Sequence, residues 1–143
     1  TQLNGLVVGK APEKRSDKIT YAGAVNSSVE LSKYYSAAEV MIITSKQDNY
    51  PNTVVESMAC GTPVLGYAVG GIPSQMPEFW DGVVPANDVK KLAERLKVYM
   101  ANGGKNTELQ SEFRSHVEVN SSPERVSKKY LDLYKEIILL NKG

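Results

Sequence analysis

Apolar residues along this chain fall into short continuous runs separated by stretches of helical spacing. Residues 6–9 form a brief apolar run closed by glycine, and residues 19–22 form a second, closed by Gly23. Residues 40–44, V-M-I-I-T, are apolar along their length, as in a parallel strand covered on both faces. Val64–Tyr67 reads as a short buried strand, and residues 82–84 as another. Between these runs the pattern changes to a helical period. Asn26, Ser27 and Ser28 offer caps for a helix over 29–36, with Glu30 in its first turn. Asp88 opens a helix over 89–102 with Leu92, Leu96 and Tyr99 on one face, and Gly103-Gly104 stop it. Residues 106–116 read as a helix with Leu109 and Phe113 inward. Ser121-Ser122-Pro123 precede a long last helix to about Leu140, with Val126, Tyr130, Leu133 or Tyr134, and Ile137 as its apolar face. Residues 11–18 are charged and carry Pro12, so a surface loop or a single helical turn is expected there.

Strands alternate with helices, so a parallel sheet with right-handed crossovers is the economical fold. In such sheets ligands bind beyond the carboxyl ends of the strands. The 143 residues suit one domain with a real core. A net charge of +1 gives no general attraction to nucleic acid or to an anionic membrane. The single cysteine forbids an internal disulfide and fits a reducing, cytoplasmic setting. No apolar run is long enough to span a bilayer, and the first residues do not resemble a signal peptide. The chain starts almost at a strand, which reads as an excised domain.

The chemistry concentrates between Asp48 and Gln75: D-N-Y-P-N-T-V-V-E-S-M-A-C-G-T-P-V-L-G-Y-A-V-G-G-I-P-S-Q. The order is loop, helix, turn, strand and glycine loop. Pro51 holds φ near the helical value, and Asn52 or Thr53 can cap the helix over 53–60. Val54, Val55, Met58 and Ala59 make its apolar face, and Glu56 lies off it. Gly61 suits the left-handed position after a helix, and Pro63 prevents a restart. A helix start offers unpaired N–H groups and a partial positive charge, so it can hold a phosphate without a basic side chain. Asp48 and Glu56, with seven residues between them, flank that start. Carboxylates so placed can accept hydrogen bonds from sugar hydroxyls. Residues 69–73 form a bare-backbone loop in which Gly70 and Gly71 permit close approach. Phosphate in the middle and hydroxyl acceptors on either side describe a nucleotide-sugar site.

The same stretch resembles the donor-binding signature of retaining GT-B glycosyltransferases of family 4, the glycosyl transferases group 1 domain. That signature is an acidic residue, seven residues, Glu, then M-A-C-G-x-P-V and a G-G-I-P-like loop, matched here almost continuously from Ser45 to Pro73. The resemblance extends to the first strand and to the last helix at 130–137. It implies a Rossmann-like three-layer α/β/α fold with a mainly parallel sheet, the C-terminal half of a GT-B enzyme. It also implies a single nucleotide-sugar-binding domain over 1–143, whose N-terminal acceptor domain is absent. In the intact hexosyltransferase a sugar would pass from a nucleoside diphosphate to an acceptor hydroxyl with retained configuration, in polysaccharide biosynthesis. The isolated domain would be inactive. The expected partners are the nucleotide-sugar donor and the acceptor domain, with no nucleic acid, no metal and no other cofactor. Membrane association would come only through the missing part, as a peripheral contact at the inner face.

Residue by residue, the resemblance implies catalytic roles for Asp48 on the donor sugar and Glu56 on the ribose. It implies backbone contacts to the diphosphate from Asn52, Thr53 and Val54, and ligand-loop roles for Gly70 and Gly71. Tyr21-Ala22-Gly23 matches a segment that passes near the base, although Gly23 is equally a plain strand end. The family carries Glu where this chain has Asp48 in D-N-Y-P. The shorter side chain must sit closer or reach through water. Glu56 has the alternative of a solvated helix-surface residue, and Asp48 that of capping the approach to the helix. Cys60 is expected as a small core residue, and His116 on the surface. The Tyr130 and Tyr134 stripe reads as packing. The family's Arg and Lys pair belongs to a segment upstream of this chain, and Lys10 and Lys46 do not match it. The rivals are a GT-B-shaped epimerase, which needs a rim histidine, a phosphorylase with a lysine-held pyridoxal phosphate, or a non-catalytic module of the same fold.

Overall fold

The computed structural model describes residues 4–10 and 12–140. It divides into two compact units, one ending at Tyr34 and one beginning at Tyr35. In the first, β1 (Gly5–Val8) pairs in parallel with β2 (Ile19–Gly23), with an irregularity between Val7 and Val8. Helix α1 (Ser28–Ala37) begins in this unit, and the Ser27 hydroxyl caps it by accepting from the Glu30 N–H at 3.3 Å. The charged segment before β2 forms bends and turns, as expected of a surface loop.

The second unit holds β3 (Met41–Ile43), α2 (Asn52–Ala59), β4 (Val64–Tyr67), α3 (Ile72–Gln75) and β5 (Val83–Val84). Helices α4 (Val89–Ala101), α5 (Thr107–Ser121) and α6 (Pro123–Leu140) follow. Its three strands lie in the order β3-β4-β5, and both pairs are parallel. The fold is thus α/β with parallel strands, as the alternation of runs implies. β4 is buried along its whole length and separates two apolar clusters. One holds Val54, Met58, Ile72 and Phe113, and the other Leu65, Tyr67, Val84 and Leu92.

Four expectations change. β3 is not covered on both faces, since Ile42 is 46% exposed. The glycine loop after β4 runs directly into α3, a helical turn that Pro73 suits because Pro fits the first turn. α5 continues to Ser121, past His116, because no glycine or proline intervenes. α6 has its amphipathic pattern yet buries no residue, and Tyr130, Tyr134 and Ile138 are all more than half exposed.

Two glycines set the packing around β4. A Cβ on Gly66 would lie 2.6 Å from the Ile43 carbonyl oxygen and 2.4 Å from Ile43 Cγ2. Gly61, at φ 75°, ends α2 in a Schellman turn. The Gly61 N–H donates to Met58 O at 2.8 Å and the Thr62 N–H to Ser57 O at 2.9 Å. The chain therefore leaves α2 already turned into β4. Replacing Gly66 with Ala is expected to lower stability by roughly 1–3 kcal/mol, since backbone atoms must move apart. A shift of the urea midpoint measures this, and an unchanged midpoint would show that β3 yields freely.

Candidate functional site

β3 and β4 point their carboxyl ends the same way, because they are parallel. The acidic loop follows β3 and the glycine loop follows β4, so both lie at one rim of the sheet. There they touch. A Cβ on Gly70 would sit 1.7 Å from the Asp48 carbonyl oxygen, and one on Gly71 2.1 Å from that of Asn49. Gly70 also has φ 50°. The two glycines thus let the 48–50 loop lie on the glycine loop backbone to backbone, and the close approach they serve is between protein segments.

That loop delivers the chain to α2. The residue at the cap is Pro51, with φ −67° and ψ 124°, and no side chain caps the helix. This corrects the expectation that Asn52 or Thr53 would cap: both are already inside the helix. Pro51 has no N–H to offer. Its carbonyl accepts from the Val54 N–H at 3.2 Å and from Gln75 Nε2 at 3.0 Å. The amides of Asn52 and Thr53 find no acceptor among the described residues. Two donors therefore remain unfilled at the positive end of the helix dipole. Val54 differs from its neighbours: its N–H is engaged and its side chain is fully buried.

The support beneath this tip comes from α3 and α5. Gln75 is buried, with only its Oε1 lacking a partner among the described residues. Its backbone carbonyl accepts from His116 Nε2 at 3.0 Å, which places the ring proton on that nitrogen. Asn120 Nδ2 lies 3.2 Å from His116 Nδ1 and 2.9 Å from the His116 carbonyl. His116 is therefore half-buried and structural, not a surface residue. Its partners lie about forty positions upstream or on its own helix, and periodicity alone could not reveal the former.

A cleft of about 460 Å³ opens beside α2, with Asn52 and Glu56 in its wall. Tyr50 and Val55 share that side; Asn120, Ser121, Val126 and Lys129 line the other. Glu56 is exposed, and its Oε2 accepts from the Tyr35 hydroxyl at 3.2 Å. Burial, then the Glu56 carboxylate, holds the Tyr35 phenol well above its ordinary pKa. Asp48 is half-buried and does not line this cleft, and its carboxylate has no hydrogen bond among the described residues. Thr53 is exposed at the tip. Gly23 closes β2 in the other unit, where its carbonyl accepts from the Gly9 N–H at 2.7 Å. A second cavity of about 460 Å³, around Trp80, Arg95, Tyr99 and Glu112, holds none of the predicted residues. Sequence reasoning missed Tyr35, Asn120 and Lys129. Tyr35 stands on an earlier helix, and the others follow the segment that carries the motif.

A cleft bordered by Asn52, whose amide is unfilled, by a carboxylate and by a lysine can take a ligand that is anionic at one point and hydroxyl-rich at another. A family model described as glycosyl transferases group 1 matches residues 2–102. The D-inositol 3-phosphate glycosyltransferase of Saccharomonospora viridis is 29% identical over 115 residues, which are 80% of this chain and 26% of that protein. That of Thermobifida fusca is 42% identical over 55 residues, 38% of this chain and 13% of that protein. Among solved structures, sucrose-phosphate synthase from Thermosynechococcus elongatus superposes with a TM-score of 0.77 at 27% identity. The match covers 94% of this chain and 38% of that one. Anabaena Alr3699/HepE in complex with UDP-glucose gives a TM-score of 0.75 at 14% identity, over 93% of this chain and 41% of that one. The chain thus spans about a quarter of the first curated relative's length.

Substituting Gly70 with Ala should displace the 48–50 loop and, with it, the α2 tip. The amide NMR signals of Asn52 and Thr53 are expected to shift more than those of α4, with a stability loss of roughly 1–3 kcal/mol. Shifts spread evenly over the chain would contradict a local coupling.

Proposed function

Because the chain belongs to the glycosyl transferases group 1 family, we propose that it is the donor-binding, C-terminal half of a retaining GT-B glycosyltransferase of family 4. In the intact enzyme a hexosyl group passes from a nucleoside diphosphate to an acceptor hydroxyl with retained configuration. One observation carries this reading: the uncapped tip of α2 and Glu56 border the same cleft. The amides of Asn52 and Thr53 meet the diphosphate, and Glu56 accepts from the ribose hydroxyls. Asp48 reaches the donor sugar from the adjoining loop. Gly70 and Gly71 act by seating that loop. Val54 contributes packing, since its amide is engaged.

This half of the enzyme orients the donor and stabilises the negative charge that grows on the departing diphosphate. The helix dipole does so without a metal, and cationic residues of the remaining protein share the task. The acceptor comes from a further domain, so this chain alone transfers nothing. A cytoplasmic reaction in polysaccharide synthesis fits the lone cysteine. A second reading, a non-catalytic module, draws on one observation: Asp48 stands outside the cleft.

Titration with uridine and guanosine diphosphates, followed by NMR, tests the donor site. One of them is expected to shift the Asn52 and Thr53 amides, and silence to both at millimolar concentration would sink the reading. In the full-length enzyme, Glu56→Gln should weaken donor binding and transfer about tenfold, because a charge-assisted acceptor is lost. Donor binding without any transfer to an acceptor would favour the module instead.

A further inference from the structure

Glu56 is an exposed residue on a helix, and its side chain has three freely rotating bonds. Such a carboxylate reaches a ligand reproducibly only when something selects one of its rotamers. Among the described residues its one hydrogen-bond partner is the Tyr35 hydroxyl, and it joins no ion pair. That bond occupies Oε2 and leaves Oε1 without a protein partner.

Tyr35 is held firmly enough to serve. It lies in the last turn of α1, where carbonyl groups lack helical partners. Its own carbonyl accepts from the Thr62 hydroxyl at 2.6 Å, and Thr62 is fully buried. Lys105 Nζ donates to the carbonyls of Ser36 at 2.7 Å and Ala38 at 2.6 Å. A cation at this end also complements the helix dipole. Burial pushes the Lys105 ammonium below its ordinary pKa, with the Glu39 carboxylate opposing. Its two hydrogen bonds to the end of α1 make the lysine a clamp there. Tyr35 therefore joins an anchored backbone to a mobile carboxylate.

We propose that Tyr35 is the positioning residue for Glu56, selecting the carboxylate orientation that receives the donor's hydroxyls. This rests on the reading of Glu56 as a donor ligand. The bond at 3.2 Å is longer than the usual hydroxyl-to-oxygen range, as such bonds often are before a ligand arrives. It should shorten when the donor docks. The residue touches no substrate and acts only through Glu56.

The experiment is a double-mutant cycle in the full-length enzyme with Tyr35→Phe, Glu56→Ala and their combination. Tyr35→Phe keeps the ring and removes only the hydroxyl. Its expected effect is a several-fold to tenfold rise in donor KM and nucleoside diphosphate Kd, with kcat and melting temperature nearly unchanged. In the Glu56→Ala background the same change should add nothing, since its partner is gone. An equal loss in both backgrounds would mean the hydroxyl acts through general structure, and the inference fails. It fails alone if Glu56→Ala weakens the donor but Tyr35→Phe does not. If Glu56→Ala has no effect, the parent reading of the site falls and takes the inference with it. Should Tyr35→Phe lower the melting temperature, Lys105→Met provides the second test. Loosening the α1 terminus must then raise donor KM only when Glu56 is present.

Discussion

The candidate site depends on one contact between backbones. Gly70 and Gly71 carry the chain so near Asp48 and Asn49 that a single added carbon would overlap a carbonyl oxygen. Two loops that follow neighbouring parallel strands are thereby joined into one surface. Pro51 begins α2 directly after that seat. Gln75 and His116 then brace the same point from below. No side-chain cap competes for the tip. A protein that required maximal helix stability would place Ser, Asp or Asn at the cap position, a choice worth about 1 kcal/mol. Here the position is Pro51, and the donors stay available.

The site's acids play unequal parts. Glu56 borders the cleft, tethered by the Tyr35 phenol. Asp48 has its backbone pressed against Gly70 while its carboxylate stays outside the cleft lining. The spacing that makes the two look like a pair in sequence conceals this difference. One lies on a helix face, the other on a loop whose course is decided by a neighbour. The same distinction separates Asn52 and Thr53 from Val54: three consecutive amides, of which the third already bonds to Pro51.

Most of the local structure was legible along the chain, for reasons that are themselves local. Asp88 and Asn106 cap α4 and α5 through their own side chains. Gly61 ends α2 because the left-handed turn needs a residue without Cβ. The four-residue run of β4 is buried throughout, as continuous apolarity implied. Where reading failed, the deciding contact, or the lack of one, lay outside the segment. His116 is held by Gln75, and the apolar stripe of α6 contains no buried residue. α3 was hidden because a Gly-Gly pair before proline signals a loop, and only packing of Ile72 into the core decides otherwise.

By itself, then, the order of residues determined the parallel α/β plan, the helix ends, and the stretch that bears the chemistry. These follow from periodicity, capping and steric freedom, which act over a few positions. Tertiary structure alone decided that Tyr35 meets Glu56 and that Asn120 and Lys129 face Asn52 across a cleft. It also decided that the glycine pair seats the acidic loop. Those outcomes depend on how strands and helices far apart along the chain are brought to one rim, and no spacing within a single segment encodes that distance.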